Sequence, residues 1–260
     1  MAPTLTRAAL LGLVITVLAS AAATADQRDD FLAGRAKQCA GCDLAGVNFK
    51  RRDLTGVDLA GANLREANFH DARLVGANLA GANLAGANLN KANLARADLT
   101  GAKLEEAMLY GAVLDAAKLA GADLTEAMMG TARLLRADLA KAVLRHADMR
   151  KARLDDAKLG GADLTGAALD QAMLRAATLD GARMADTRLM GADMSGARLN
   201  GADLSEADAL HANFRGADLT GANLAKTNLR QANLYEAKLD GAIFRGTIMP
   251  DGTTETHGGR

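Results

Sequence analysis

From residue 43 onward the number of a residue fixes its type with a period of five. Numbers ending in 4 or 9, from Leu44 to Phe244, give 41 positions: 32 are Leu, four are Phe, four are Met, and one is Ala209. Two residues earlier, at numbers ending in 2 or 7, 35 of 41 positions are Ala. The exceptions are Cys42, Val47, Arg52, Val57, Thr187 and Thr227. Numbers ending in 1 or 6 give Gly at 19 of 41 positions from Gly46 to Gly246. The frame never slips. A helix cannot use this pattern, because at ~100° per residue successive leucines step ~140° around the axis and leave no apolar stripe. A straight strand fails as well, since an odd period throws alternate leucines to opposite faces.

The pattern suits a chain that bends by a constant angle once per repeat. Ala and Leu, two apart, then share the inner face of a short extended step, the residue between them points outward, and the Gly-rich position makes the corner, where positive φ is cheap. Such a chain winds into an all-β solenoid whose coils pair with those above and below. Phe49 with Phe69, Met129 with Met149, and Arg133 with Arg153 recur at a spacing of 20, which favours four bends per coil. That spacing predicts about ten coils and, at ~4.8 Å per coil, a rod roughly 50 Å long.

Ala77-Asn78-Leu79-Ala80-Gly81 and Ala217-Asp218-Leu219-Thr220-Gly221 closely match A-(D/N)-L-x-x, and on this basis the chain resembles the pentapeptide-repeat family over about 205 of its 260 residues. The resemblance implies a right-handed quadrilateral β-helix with Leu and Ala stacked inside. It implies no chemistry, because a fold does not carry a function.

The chain divides into 1–25, a signal peptide; 26–38, an N-terminal cap; 39–248, the repeat array; and 249–260, a polar tail. Arg7, the apolar stretch Ala8 to Ala19 and the terminal Ala23-Thr24-Ala25 read as a secretory signal cleaved before Asp26. The apolar run is shorter than the ~20 residues of a membrane span. The expected location is therefore the periplasm or the exterior. Removing the signal leaves 30 basic and 31 acidic side chains, a net charge of −1. That balance disfavours nucleic acid as a partner.

Candidate chemistry is sparse. Cys39 and Cys42 both fall on inner slots, and in an oxidising compartment they read as a local disulfide or as two buried thiols finishing the first coil. A thioredoxin-type site lacks its βαβ context, haem attachment lacks a His at 43, and zinc lacks neighbouring ligands, since His70, His146, His211 and His257 are scattered. No metal and no cofactor are expected. Asp or Asn fills 23 of the 41 outward positions before the Leu. A convex rod offers no cleft for paired catalytic carboxylates, so Asn48, Asn68 and Asn88 are expected to form a side-chain ladder instead. Arg52, on an inner slot, is expected to swing out and make the first coil irregular.

Partners are expected on the outside or at the ends. Met108, Tyr110 and Met128 gather on one face, with Val113 and Leu135 on the next, forming the best candidate for a protein-binding patch. Ile243, Phe244, Ile248 and Met249 make the last coil the most apolar, suited to self-capping or to an end-to-end homodimer. A non-catalytic structural or interaction scaffold is the leading expectation. The alternatives are a thiol redox or metal-binding protein at Cys39/Cys42, and a DNA mimic. The resemblance suggests the latter, since one cytosolic branch of the family occupies type II topoisomerases through strongly acidic surfaces. The middle of this array instead carries outward cations, such as Lys103, Lys118, Arg133, Arg153, Lys158, Arg183, Arg188 and Arg198, interleaved with Asp115, Asp155, Asp156, Asp170 and Asp180.

Overall fold

A computed structural model describes residues 26–255; the segment read as a signal peptide and the last five residues of the tail lie outside the described residues. Parallel bridges join each outward residue to the one twenty further on, without a break from Gln38↔Asp58 to Asn228↔Ile248. Each turn of the solenoid therefore takes four pentads, as the Phe49/Phe69 spacing predicts.

One pentad, 58–62, shows how every backbone donor is used. Asp58 N–H reaches back to Lys37 O at 2.9 Å, Leu59 N–H donates forward to Asn78 O at 2.7 Å, and Gly61 N–H to Ala80 O at 2.8 Å. Ala62 N–H closes the corner on Leu59 O at 3.1 Å. The fifth donor, Ala60 N–H, has no backbone acceptor and is taken by Asp58 Oδ1 at 3.1 Å. A buried backbone donor must find a partner, and here a side chain in an Asx turn supplies it.

All 23 outward Asp and Asn residues do the same, each accepting the N–H two residues ahead at 3.0–3.4 Å. This corrects the expected Asn48–Asn68–Asn88 ladder. Their Oδ1 atoms face Lys50, His70 and Asn90 N–H respectively. Side-chain rungs form instead where an Asn lies one coil above an Asp, as in Asn63 Nδ2 to Asp43 Oδ1 at 2.8 Å and Asn78 Nδ2 to Asp58 Oδ1 at 2.9 Å.

The corners share one geometry. Every residue at a number ending in 1 or 6 from Gly46 to Gly246 has positive φ, including 22 that are not glycine, at 55–61°. With its i+3 hydrogen bond and positive φ at the third residue, the corner has the type II turn signature. Thr131 is the one β-branched residue among the 22, at φ 57°, where the left-handed conformation is least tolerable. Thr131→Gly is expected to stabilise the protein by about 1 kcal/mol, read as a rise in the urea midpoint.

Inside, Leu and Ala columns run the length of the rod with essentially no exposure. Phe49 stacks on Phe69 with ring centroids 5.0 Å apart. Thr187, Thr227 and Thr247 occupy Ala slots and remain satisfied, their hydroxyls donating to Met184 O, Leu204 O and Leu224 O.

The two ends differ. At the start, a helix α1 (26–32) lies over the first coil. Gly34, at φ 74°, ends it, and Arg35 N–H turns back to Asp30 O at 2.8 Å, the pattern of a glycine helix stop. Phe31 from α1 meets Phe49 edge-on at 6.0 Å. Arg52 does not distort the first coil, contrary to the sequence expectation. Its N–H keeps the corner bond to Phe49 O, its carbonyl accepts Arg73 N–H, and only its side chain leaves the inner slot. The guanidinium lies 5.6 Å from the Phe49 ring centroid and donates to Leu32 O at 3.2 Å. The slot faces α1 rather than another coil, so the long stem has somewhere to go.

At the far end the segment read as a polar tail folds back. Strand β1 (Thr247–Ile248) pairs antiparallel with β2 (Thr254–Glu255), so the boundary at 248/249 falls inside a hairpin. Its turn is held by Gly252 N–H to Met249 O and by Asp251 Oδ1, which accepts from both the N–H and the hydroxyl of Thr253. The hairpin covers part of the last coil. Leu234, Leu239 and Ala237 stay half-buried, and among the described residues Leu234, Glu236, Leu239, Gly241 and Phe244 N–H have no acceptor.

Candidate interaction surface

Many outward cations of the middle coils are paired with carboxylates of the coil below. Arg133 pairs with Asp115, Arg188 with Asp170 at 2.6 Å and Arg198 with Asp180 at 2.7 Å, each reaching eighteen residues back to the coil below. Lys118 meets Asp98 at 3.3 Å and Arg183 meets Asp163 at 3.6 Å, twenty apart. Asp163 is the deepest of these carboxylates. Burial raises its pKa, but hydrogen bonds from Thr165 and Arg145 and the charge of Arg183 outweigh that cost and hold it below its ordinary value.

Asp53 and Asp218 are held low chiefly by Thr55 and Thr220, whose hydroxyls and N–H groups both donate to them. A carboxylate whose pKa is depressed by folding adds stability above its unfolded value and loses it as pH falls through the folded value. Thermal stability is expected to hold down to about pH 4 and to drop below it, checked by melting temperature against pH. Replacing Thr55, Thr165 and Thr220 by Val should lower stability above pH 4 and make the drop smaller.

Where an outward cap is missing, the coil below sometimes supplies one. Met108, Arg133 and Arg198 replace the usual Asp or Asn. The orphaned donors Tyr110, Leu135 and Asn200 N–H then bond to Asn90, Asp115 and Asp180 Oδ1 at 2.8, 3.2 and 3.2 Å, each twenty residues earlier. Sequence reading missed this arrangement. The signal was an Asp or Asn at a corner position eighteen residues before a non-capping one.

The break in the polar exterior lies at Met108, Tyr110 and Met128. Met108 and Met128 are bridge partners, and Tyr110 and Met128 are 55% and 44% exposed. With Gly130, Asp148 and Lys151 they line a hollow of about 450 Å³. Gly130 makes the hollow: a Cβ there would sit 3.2 Å from Tyr110 Cδ2, so the ring lies across the bare corner. Arg150 closes one side by pairing with Asp148 at 2.5 Å, and the Arg150 hydrogen bond is the main reason Asp148 titrates below its ordinary value. Val113 and Leu135 are half-buried on the adjoining face. Leu135 lines a separate hollow of about 550 Å³ among Asp115, Arg153, Asp155 and Arg175.

The other sequence candidates lie at the ends. Cys39 and Cys42 are joined in a disulfide, buried at 0% and 5% exposure. Phe244 is buried, Ile248 sits in β1, and Met249 N–H bonds Thr253 O. Ile243 alone of that group is well exposed. Among the described residues no three His, Cys, Asp or Glu side chains come together as a metal site, and no helix is long and apolar enough to cross a membrane.

A family model described as pentapeptide repeats matches the chain in eight copies over 42–115, 117–206 and 212–249. The chain belongs to the pentapeptide repeat family. Pentapeptide repeat proteins adopt a right-handed quadrilateral β-helix and are generally non-enzymatic structural or interaction proteins. Among solved structures, the chain is similar to HetL, a pentapeptide repeat protein involved in heterocyst differentiation regulation from the cyanobacterium Nostoc sp. strain PCC 7120. The two are 35% identical over 87% of this chain and 97% of HetL, with a TM-score of 0.64. It is also similar to QnrB1, a plasmid-mediated fluoroquinolone resistance protein, at 22% identity over 78% of this chain and 93% of that one, with a TM-score of 0.47. No curated protein matches it by sequence.

Proposed function

We propose that this pentapeptide repeat protein is an exported, non-catalytic scaffold of about ten coils that binds a protein partner through the Met108–Tyr110–Met128 face. The observation that carries this reading is the contrast on the rod's exterior. Outward Asp and Asn side chains cap turns and many outward charges pair between coils, while one hollow exposes an aromatic ring and a thioether together. Apolar groups grouped on an otherwise polar surface mark interaction sites. A disulfide in the first coil suits an oxidising compartment, and its burial argues against thiol exchange, which needs access. A DNA mimic is a weaker reading, because a net charge near zero cannot imitate a phosphate backbone.

The test has two arms. The protein recovered from the cell envelope is expected to begin at Asp26; a chain that begins at Met1 and stays in the cytosol overturns export. Cross-linking in the native envelope, followed by mass spectrometry, is expected to capture a stoichiometric partner through this face. Capture that is equal for Met108→Ser/Tyr110→Ser/Met128→Ser overturns the surface.

A second reading concerns assembly. The unpaired N–H row from Leu234 to Phe244 and the half-buried Leu234 and Leu239 suit an end-to-end homodimer, since open strand edges pair readily. Sedimentation should give twice the chain mass, reduced to one by Ile243→Asp; a monomer at all concentrations overturns it.

A further inference from the structure

Position 130 is exceptional among the uncapped corners. Met128 supplies no side-chain acceptor, and Tyr110, twenty residues before Gly130, supplies none either. Among the described residues Gly130 N–H has no hydrogen-bond acceptor. Other uncapped donors, such as those of Val75, Glu105 and Ala120, belong to residues that are partly exposed, whereas Gly130 is buried in the floor of the hollow. A buried donor without an acceptor is costly to leave unmade. In 23 other pentads the same donor faces a carboxylate or amide oxygen, so the backbone geometry at Gly130 already suits such an oxygen.

The charges around the hollow favour a carboxylate over an amide. Arg150 is neutralised by Asp148, but Lys151, at the rim, has no ion pair among the described residues. Neither has Lys91, whose N–H donates to Tyr110 O from the neighbouring corner. The opposite corner of the same face carries Glu106 and Glu126, both exposed and without ion pairs among the described residues. A ligand crossing the face therefore meets carboxylates at one corner, apolar groups in the middle and ammonium groups at the other. Complementary charge fixes orientation and register more than it adds affinity.

We infer that the hollow accepts an extended peptide segment in which an apolar side chain rests on Met108, Tyr110 and Met128. A neighbouring carboxylate of that segment takes the place of the missing turn cap, accepting Gly130 N–H beside Lys151. This rests on the reading of the face as a docking surface and adds the chemistry of its occupant. The apolar anchor gains from burial against a ring and two thioethers. The carboxylate completes a bond that the chain makes for itself elsewhere.

The probe is the blocked pentapeptide acetyl-Gly-Leu-Gly-Asp-Gly-amide, titrated into isotope-labelled protein and followed by amide NMR. Saturable movement of the Gly130 amide to lower field, with shifts at Tyr110, Thr131 and Lys151, is expected. Replacing the peptide's Asp by Lys should weaken binding about fivefold, and replacing its Leu by Ser should weaken it further. Lys151→Glu, an exposed change that leaves the fold intact, should reverse the preference between the Asp and Lys peptides. Equal binding of the Asp and Lys peptides, a Gly130 amide that stays still while its neighbours move, or no binding by any peptide each overturns the inference. If cross-linked capture still depends on Met108, Tyr110 and Met128 in those cases, the docking surface stands and only its proposed ligand chemistry falls.

Discussion

Leu119→Ala is expected to cost about 2–5 kcal/mol. Leu119 is completely buried, and its column neighbours Leu99 and Leu139, twenty residues either side, belong to coils fixed by hydrogen bonds of 2.6–2.7 Å. Those bonds set the coil spacing, so the lattice cannot close on the lost isobutyl group and a cavity remains. In a solenoid each coil touches only its neighbours. The damage should therefore show as faster amide exchange in the coils around 99–139, with the ends unchanged. Leu119→Met conserves volume and should cost less than about 1.5 kcal/mol. A Leu119→Ala protein whose urea midpoint equals that of the wild type would mean that the interior is softer than its burial indicates.

Much of this was legible because the pentad leaves few choices. An apolar pair two apart, a corner residue and an unbroken frame are compatible with one kind of winding, and the recurrence of Phe49 at Phe69 gives the length of a coil directly. The same spacing brought Met108 and Met128 together and put Val113 and Leu135 around the corner from them. Less was legible where the reason for a residue lies in the backbone. The Asp and Asn before each Leu looked like rungs between coils, yet their shared task is to accept the fifth N–H of their own pentad. Counting donors per repeat would have found it. Arg52 misled because an inner slot at the end of a rod does not have the neighbours of one in the middle. The hairpin at 247–255 was hidden because 249–260 reads as a polar tail, although Pro250-Asp251-Gly252 within it is the turn that returns a strand.

The exterior follows the same economy. Replacing a cap by Arg or Met gives up a hydrogen bond, and Asn90, Asp115 and Asp180 restore it from the coil below. At Gly130 nothing restores it. A rod built from one repeated turn thus differs from its neighbours most where a turn is left incomplete. Specific recognition is best placed there, because an incomplete turn offers a partner something the regular faces do not.

Phe31→Ala is expected to cost about 3–5 kcal/mol, though its effect should be confined to one end of the rod. Phe31 is only 2% exposed and begins an aromatic column that continues through Phe49 to Phe69. Without its ring α1 is held over the first coil only by the partly buried Leu32 and by two polar bonds, Arg28 Nε to Asp43 O at 2.9 Å and Arg52 to Leu32 O, each worth about 1 kcal/mol. Phe49 would then face water. Arg52→Ala alone should cost about 1–2 kcal/mol, the sum of that bond and its contact with the Phe49 ring. The disulfide keeps the Cys39–Cys42 turn closed in either variant, so the corner itself should survive while α1 detaches. Amide exchange should accelerate over residues 44–59 in Phe31→Ala, more weakly in Arg52→Ala, and should not change beyond about residue 100, since coils interact only with nearest neighbours. Because an uncovered coil is a pairing edge, Phe31→Ala should also self-associate with rising concentration. Uniform acceleration along the whole chain would instead mean that the rod unfolds as a single unit and that α1 nucleates it.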